Sequence, residues 1–108
     1  MKPSVIDPQA MHAAAGAASA LLRALAHEDR LLLLCQLSQG ESSVSELELS
    51  CGVLQPSLSQ HLGVLRREGL VSTRRDGRHI FYSVADRKAL ALLQLLYDQF
   101  CVQREEQS

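Results

Sequence analysis

This chain has no apolar run long enough to cross a bilayer. Even a run such as Leu31 to Cys35, which no other exceeds, falls far short of the roughly 20 residues a spanning helix needs. The N-terminus also lacks the basic-then-apolar order of a secretory signal. The expected setting is therefore the cytoplasm, with no membrane partner. Cysteine is sparse and odd in number: Cys35, Cys51 and Cys101 cannot all pair within one chain. In a reducing compartment such thiols pack, bind metal or sense redox more often than they staple a fold, which argues against a disulfide framework. Glycine (6) and proline (3) are scarce, and 46% hydrophobic content with 21% charge argues against extended disorder. Neither internal repeat nor low-complexity linker interrupts the 108 residues, so one domain over 1–108 is expected, with an ordered core near 10–102 and fraying ends at Met1 to Gln9 and Gln103 to Ser108. Net charge of one sign is missing too. At −1 the whole chain offers no footprint for a polyanion.

The charge that is present is unevenly placed. Residues 1–50 carry three Lys/Arg against six Asp/Glu, whereas residues 66–78 hold Arg66, Arg67, Arg74, Arg75 and Arg78 against Glu68 and Asp76. The Ala- and Leu-rich stretch Ala10 to Leu25 predicts a first helix whose small side chains admit a close neighbour. Ala26 to Arg30 leads into Leu31–Cys35, a second helix with acidic residues early and Gly40 beyond its end. Apolar on most of its circumference, it is expected to be largely buried. Ser43-Val44-Ser45-Glu46 matches a capping box, opening a short third helix that stops at Gly52. Pro56 suits the first turn of a fourth helix, in which Leu58, Leu62 and Leu65 form one apolar stripe. Val71 to Arg75 and Arg78 to Val84 flank Asp76-Gly77, which predicts a β-hairpin with its turn at that dipeptide. Asp86 can cap a last helix through Cys101, whose Leu93, Leu96, Tyr97 and Phe100 make a stripe too long for the small core to absorb. A second subunit is expected to cover it.

The third and fourth helices, joined around Gly52-Val53-Leu54, make a helix-turn-helix, a motif whose second helix lies in the DNA major groove with its N-terminal residues toward base edges. Gln55, Ser57, Ser59, Gln60 and His61 occupy that end, and amide and hydroxyl side chains can address bases or phosphates. Arg66 follows on the same helix, and Arg74, Arg75 and Arg78 at the hairpin can meet phosphates. The plain alternatives are ordinary exposed helix residues and a solvated charged loop, and His61, next to Leu62, fits packing as well as readout.

Four blocks in order, Leu-Arg-Ala-Leu-Ala-His-Glu-Asp-Arg-Leu (22–31), Pro-Ser-Leu-Ser-Gln-His-Leu (56–62), Leu-Arg-Arg-Glu-Gly-Leu-Val (65–71) and Gly-Arg-His-Ile-Phe-Tyr-Ser-Val (77–84), resemble the ArsR/SmtB family of winged helix-turn-helix repressors over residues 15–102. The resemblance implies a mainly helical fold with a β-hairpin wing between the fourth and fifth helices. It also implies a homodimer built on the first and last helices, a palindromic double-stranded operator, no enzymatic activity and no bound cofactor.

Family members differ in their sensor ligands. Where arsenite sensors carry two cysteines one residue apart, this chain has Ser43 and Ser45; where zinc and nickel sensors use histidine on the last helix, Asp86 to Cys101 holds none. The remaining Cys35 and Cys101, in Leu-Leu-Leu-Leu-Cys-Gln-Leu and Leu-Tyr-Asp-Gln-Phe-Cys, resemble the persulfide-responsive subgroup. There, by that resemblance, the two form a redox-sensing dithiol that reactive sulfur oxidises to a sulfur-bridged form of lower operator affinity. A direct disulfide needs Cα atoms within about 7 Å, while a bridge of several sulfurs tolerates more. Cys51 departs from the subgroup pattern and reads most simply as a packing residue. Three alternatives stay open on the residues alone: a metalloregulator whose cysteines take Cu(I), As(III) or Cd(II); a thiol enzyme drawing a base from His12, His27, His61 or His79; and an interaction domain that does not bind DNA.

Overall fold

The computed structural model describes residues 5–101, in the order α1 (Pro8–Leu25), α2 (Glu28–Leu37), β1 (Ser42–Ser43), α3 (Val44–Cys51), α4 (Ser57–Arg67), β2 (Val71–Asp76), β3 (His79–Val84) and α5 (Arg87–Cys101). The expected fold class holds: five helices and a hairpin wing between α4 and α5. Each helix starts where its sequence supplies an acceptor or a proline. The Asp7 carboxylate accepts from the Gln9 amide at 3.0 Å, with Pro8 following, so α1 opens ahead of the expected Ala10 and takes Pro8 and Gln9 out of the fraying segment. The rest of the expected N-terminal fray before Val5, and the C-terminal one, lie outside the described residues. Ser43 and Glu46 form the capping box reciprocally, at 3.2 and 2.8 Å, and Gly52 closes α3 in the left-handed region at φ 72°. Asp86 accepts from the Lys88 amide at 2.7 Å and caps α5.

The apolar core gathers at one place. Leu33, Leu34 and Leu37 of α2, Leu47 of α3, the Leu58–Leu62–Leu65 stripe of α4, and Leu70 and Val71 entering the wing are all buried together. Burying one leucine contributes about 1.5–3 kcal/mol, so this cluster fixes α4 and the root of the wing to the body. Among the described residues α1 adds only Ala24 and Leu25 to the buried set, and α5 only Ala89, with Leu21, Leu92 and Leu93 half-buried against it.

In three further places the fold departs from expectation. β1, only two residues, adds to the hairpin by pairing Ser42 with Tyr82 and Ser43 with Phe81, giving a sheet of order β1-β3-β2. The hairpin closes Asp76 onto His79, which moves the turn one residue on, to Gly77-Arg78. Only Gly77 has positive φ there (64°), the sign pattern of a type II′ turn, which requires glycine first. α2 is one-sided rather than largely buried: Leu32 and Cys35 are exposed, because a ten-residue helix has the core along only one flank.

Candidate nucleic-acid interface

Because Leu58, Leu62 and Leu65 hold one flank of α4 in the core, its opposite flank is presented outward. Ser57, Ser59, Gln60, Arg66 and Arg67 are exposed, with Gly63 between Gln60 and Arg67 on that outer side. Gln55 folds back onto the start of the helix, where its carbonyl oxygen accepts from the Ser59 amide at 3.0 Å and hydroxyl at 2.7 Å. This cap replaces the side-chain bond that Pro56 cannot supply at the N-cap position. It also commits the Gln55 oxygen and leaves its NH₂ group as the remaining donor. Arg67, absent from the expected contacts, stands one turn beyond Gly63, and its Nη1 lies 3.5 Å from the point a Cβ would occupy on that glycine. The signal for it was its spacing from the Leu58–Leu62–Leu65 stripe, which puts residue 67 on the opposite flank of the helix.

His61 does not join this face. It is half-buried, its ring 4.3 Å from that of His27. Its Nδ1 lies 3.3 Å from Arg30 Nη1, and its Nε2 lies 3.6 Å from Asp29 Oδ2. Burial first, then the nearby His27 and Arg30, hold its pKa below the ordinary histidine value, against a smaller opposing pull from Asp29. Arg30 in turn donates to the carbonyls of Ala24 (2.6 Å) and Arg23 (3.1 Å), so one guanidinium ties the end of α1 to the recognition helix. His27, Asp29 and His61 bring one ligand-type atom each within 4.8 Å of one another, a spacing that invites a metal. Their surroundings fit hydrogen bonding better. A metal-bound imidazole usually donates its other N–H to an acceptor, yet His27 Nδ1 faces the Asp29 amide at 3.1 Å and His61 Nδ1 faces a guanidinium, both donors.

The wing arginines divide. Arg75 and Arg78 are exposed near the tip. Arg74 instead gives both Glu41 carboxylate oxygens bonds of 2.7 Å and lies 4.7 Å from the Phe81 ring centroid. That contact holds the Glu41 carboxyl below its ordinary pKa and the Arg74 guanidinium above its own.

All three cysteines are free thiols. Cys35 and Cys101 are exposed, on α2 and α5, two helices in contact with each other. Cys51 is half-buried, its sulfur 3.8 Å from the Leu32 carbonyl. Among the described residues no helix is long and apolar enough to cross a membrane.

Residues 27–73, which hold α2, the helix-turn-helix and the start of the wing, match the family model described as bacterial regulatory protein, arsR family. A biofilm growth-associated repressor of Agrobacterium fabrum is 50% identical over 96 residues, covering 89% of this chain and 82% of the relative. The crystal structure of the transcriptional repressor BigR from Xylella fastidiosa superposes with a TM-score of 0.85 at 46% identity, over 91% of this chain and all of that one. A homodimeric winged helix-turn-helix DNA-binding domain from Mycobacterium bovis matches at a TM-score of 0.73 and 27% identity, over 99% of this chain and 96% of that one. These are DNA-binding regulators and not enzymes. With the four sequence blocks, the winged fold and these likenesses in agreement, the chain belongs to the ArsR family of bacterial regulatory proteins.

Proposed function

We propose that the chain is a homodimeric operator-binding repressor that senses reactive sulfur through Cys35 and Cys101. The observation that carries the sensing half is the placement of the two thiols. Both are solvent-accessible, they stand on the contacting helices α2 and α5, and neither belongs to the DNA-facing elements. The repressor reading follows the Agrobacterium and Xylella relatives, and the dimer the Mycobacterium one. Exposed Met11 and Leu22 on α1 and Leu90, Leu95 and Tyr97 on α5 support a dimer face on those helices. Gln55, Ser57, Ser59, Gln60 and Arg66, joined by Arg67, meet the operator from α4; Arg75 and Arg78 meet it from the wing.

The chemistry balances. A thiolate takes the outer sulfur of a persulfide RSSH, releasing RS⁻ and leaving Cys–SSH. The second thiolate then attacks the protein-bound sulfur and expels HS⁻, so two thiols are oxidised as one sulfane sulfur is reduced to sulfide. With a polysulfide donor, additional sulfurs stay in the bridge. Linking α2 to α5 then constrains the core helices that carry α4, and operator affinity falls.

The test is operator release. Cys35→Ser and Cys101→Ser are expected to bind DNA as the parent chain does, yet to stay bound under a polysulfide dose that frees it. Release by both variants as by the parent overturns the sensing assignment. An adduct lost to chelator rather than to reductant, seen by mass spectrometry, would replace sulfur by a thiophilic metal ion.

A further inference from the structure

Arg74 and Glu41 are 33 residues apart, and the sheet explains how they meet. Glu41 immediately precedes β1, Arg74 lies in β2, and β3 runs between them. Phe81 of β3 is the cross-strand partner of both Arg74 and Ser43. Neighbouring strands stand about 4.8 Å apart, so the two side chains span the sheet by reaching toward each other over β3, where the Arg74 guanidinium rests on Phe81. There its Nε meets Glu41 Oε2 and its Nη2 meets Oε1, each at 2.7 Å, a two-pronged fit that lysine cannot reproduce. Its third nitrogen, Nη1, is 3.8 Å from Asp76 Oδ2. β1 runs directly into α3, and Ser43 is also that helix's cap, so the clasp joins the outer edge of the wing to the root of the helix-turn-helix.

We propose that Arg74 is a positioning residue, not an operator contact: clasped to Glu41 across the sheet, it sets the angle between the wing and the recognition helix. This rests on the reading of the chain as an operator-binding protein. Handing Arg74 to a phosphate would exchange its two charge-assisted bonds for others of the same kind, while stranding the Glu41 carboxylate beside a polyanion. The exchange gains nothing and adds a repulsion. The phosphate-facing charge of the wing is left to Arg75 and Arg78, which have no ion pair among the described residues.

The 108-residue chain is used to select a duplex from a random-sequence library, and binding of that duplex is followed by fluorescence anisotropy across a series of KCl concentrations. A lost phosphate contact lowers the slope of log affinity against log salt by about 0.9, so a substitution that removes one from each protomer of the dimer lowers it by about 1.8. Arg75→Gln and Arg78→Gln are expected to show that loss. Arg74→Gln and Arg74→Lys are expected to keep the parent slope and to weaken binding about fivefold at every salt concentration, the scale of one exposed charged pair. Glu41→Gln is expected to weaken binding similarly although it removes a negative charge, and the reversed pair Glu41→Arg with Arg74→Glu to recover most of the loss. A slope drop in Arg74→Gln, parent-like binding by Arg74→Lys, tighter binding by Glu41→Gln, or a reversed pair no better than its single variants would each overturn the assignment. Circular dichroism melts confirm that each variant is folded in the assay. If the parent chain selects no duplex at all, operator binding itself fails; if it does and Arg74→Gln behaves like Arg75→Gln, only the positioning role fails.

Discussion

The reading half of the molecule, β1 through β3, and the flanking helices α1 and α5 are built on opposite terms. Polar side chains in the reading half are held by specific partners: Ser43 with Glu46, Gln55 with Ser59, Arg74 with Glu41. Its leucines at 47, 58, 62 and 65 are fully or almost fully buried, although Leu49 and Leu54 are exposed. By contrast α1 and α5, 18 and 15 residues long, bury three residues between them, Ala24, Leu25 and Ala89, while Met11, Leu22, Leu95 and Tyr97 are at least half exposed. A single chain thus packs the core of the part that meets DNA and leaves more apolar surface uncovered on the helices we assign to dimerisation and sensing. On that assignment, the stability of the first is a property of the fold, and that of the second depends on a partner and is open to control.

The largest expected effect breaks the reading half. Leu62→Ala, at a position 1% exposed, should cost about 2–5 kcal/mol in urea unfolding followed by circular dichroism. Leu95→Asp, at a position 52% exposed, removes no core packing and should instead act on assembly. Sedimentation is expected to show a monomer, with the melting temperature losing its dependence on protein concentration. A Leu95→Asp chain that assembles and melts like the parent would erase the contrast between the halves.

A smaller effect sharpens the same comparison. Ser43 caps α3 and pairs with Phe81, and its side chain accepts from the Glu46 amide. Ser43→Ala should cost about 1 kcal/mol, the usual scale of a lost N-cap, at any protein concentration. Loss that grows on dilution would instead place this residue's influence in the assembly.

Legibility followed the range of the interactions. The Leu58–Leu62–Leu65 stripe and the Ser43–Glu46 box were readable because both are set by neighbours within one or two helical turns. β1 was not, since two serines carry no strand signal and become a strand only through Tyr82 and Phe81, about forty residues on. The hairpin was readable but its turn fell one residue late, because the backbone places Gly77 first in the turn while the Asp-Gly pair suggested Asp76. Four consecutive leucines in α2 suggested burial all round, and only the assembled core shows that Leu32 and Cys35 lie off it. Arg74 and His61 carried suitable chemistry for DNA, but the partners that engage them, Glu41 and the Asp29–Arg30 pair, are more than thirty residues away in the chain.

The smallest expected effect is a pH dependence at the seam between the two halves. Arg30 ties α1 to α4 through His61, and a guanidinium only donates, so the imidazole nitrogen facing it must be unprotonated. Burial beside His27 and Arg30 accordingly keeps the His61 pKa below 6.5. With the folded pKa below the unfolded one, the unfolded chain binds a proton that the folded chain refuses, and stability rises with pH across that interval. As pH falls through 6.5 toward the lower folded value stability is lost, and it levels off once both states are protonated. Unfolding midpoints in urea between pH 5 and 8 should show this slope, and His61→Gln, which cannot titrate, should flatten it. An unchanged slope in the variant would assign the pH dependence to another group and leave the Arg30–His61 contact without a part in holding the halves together.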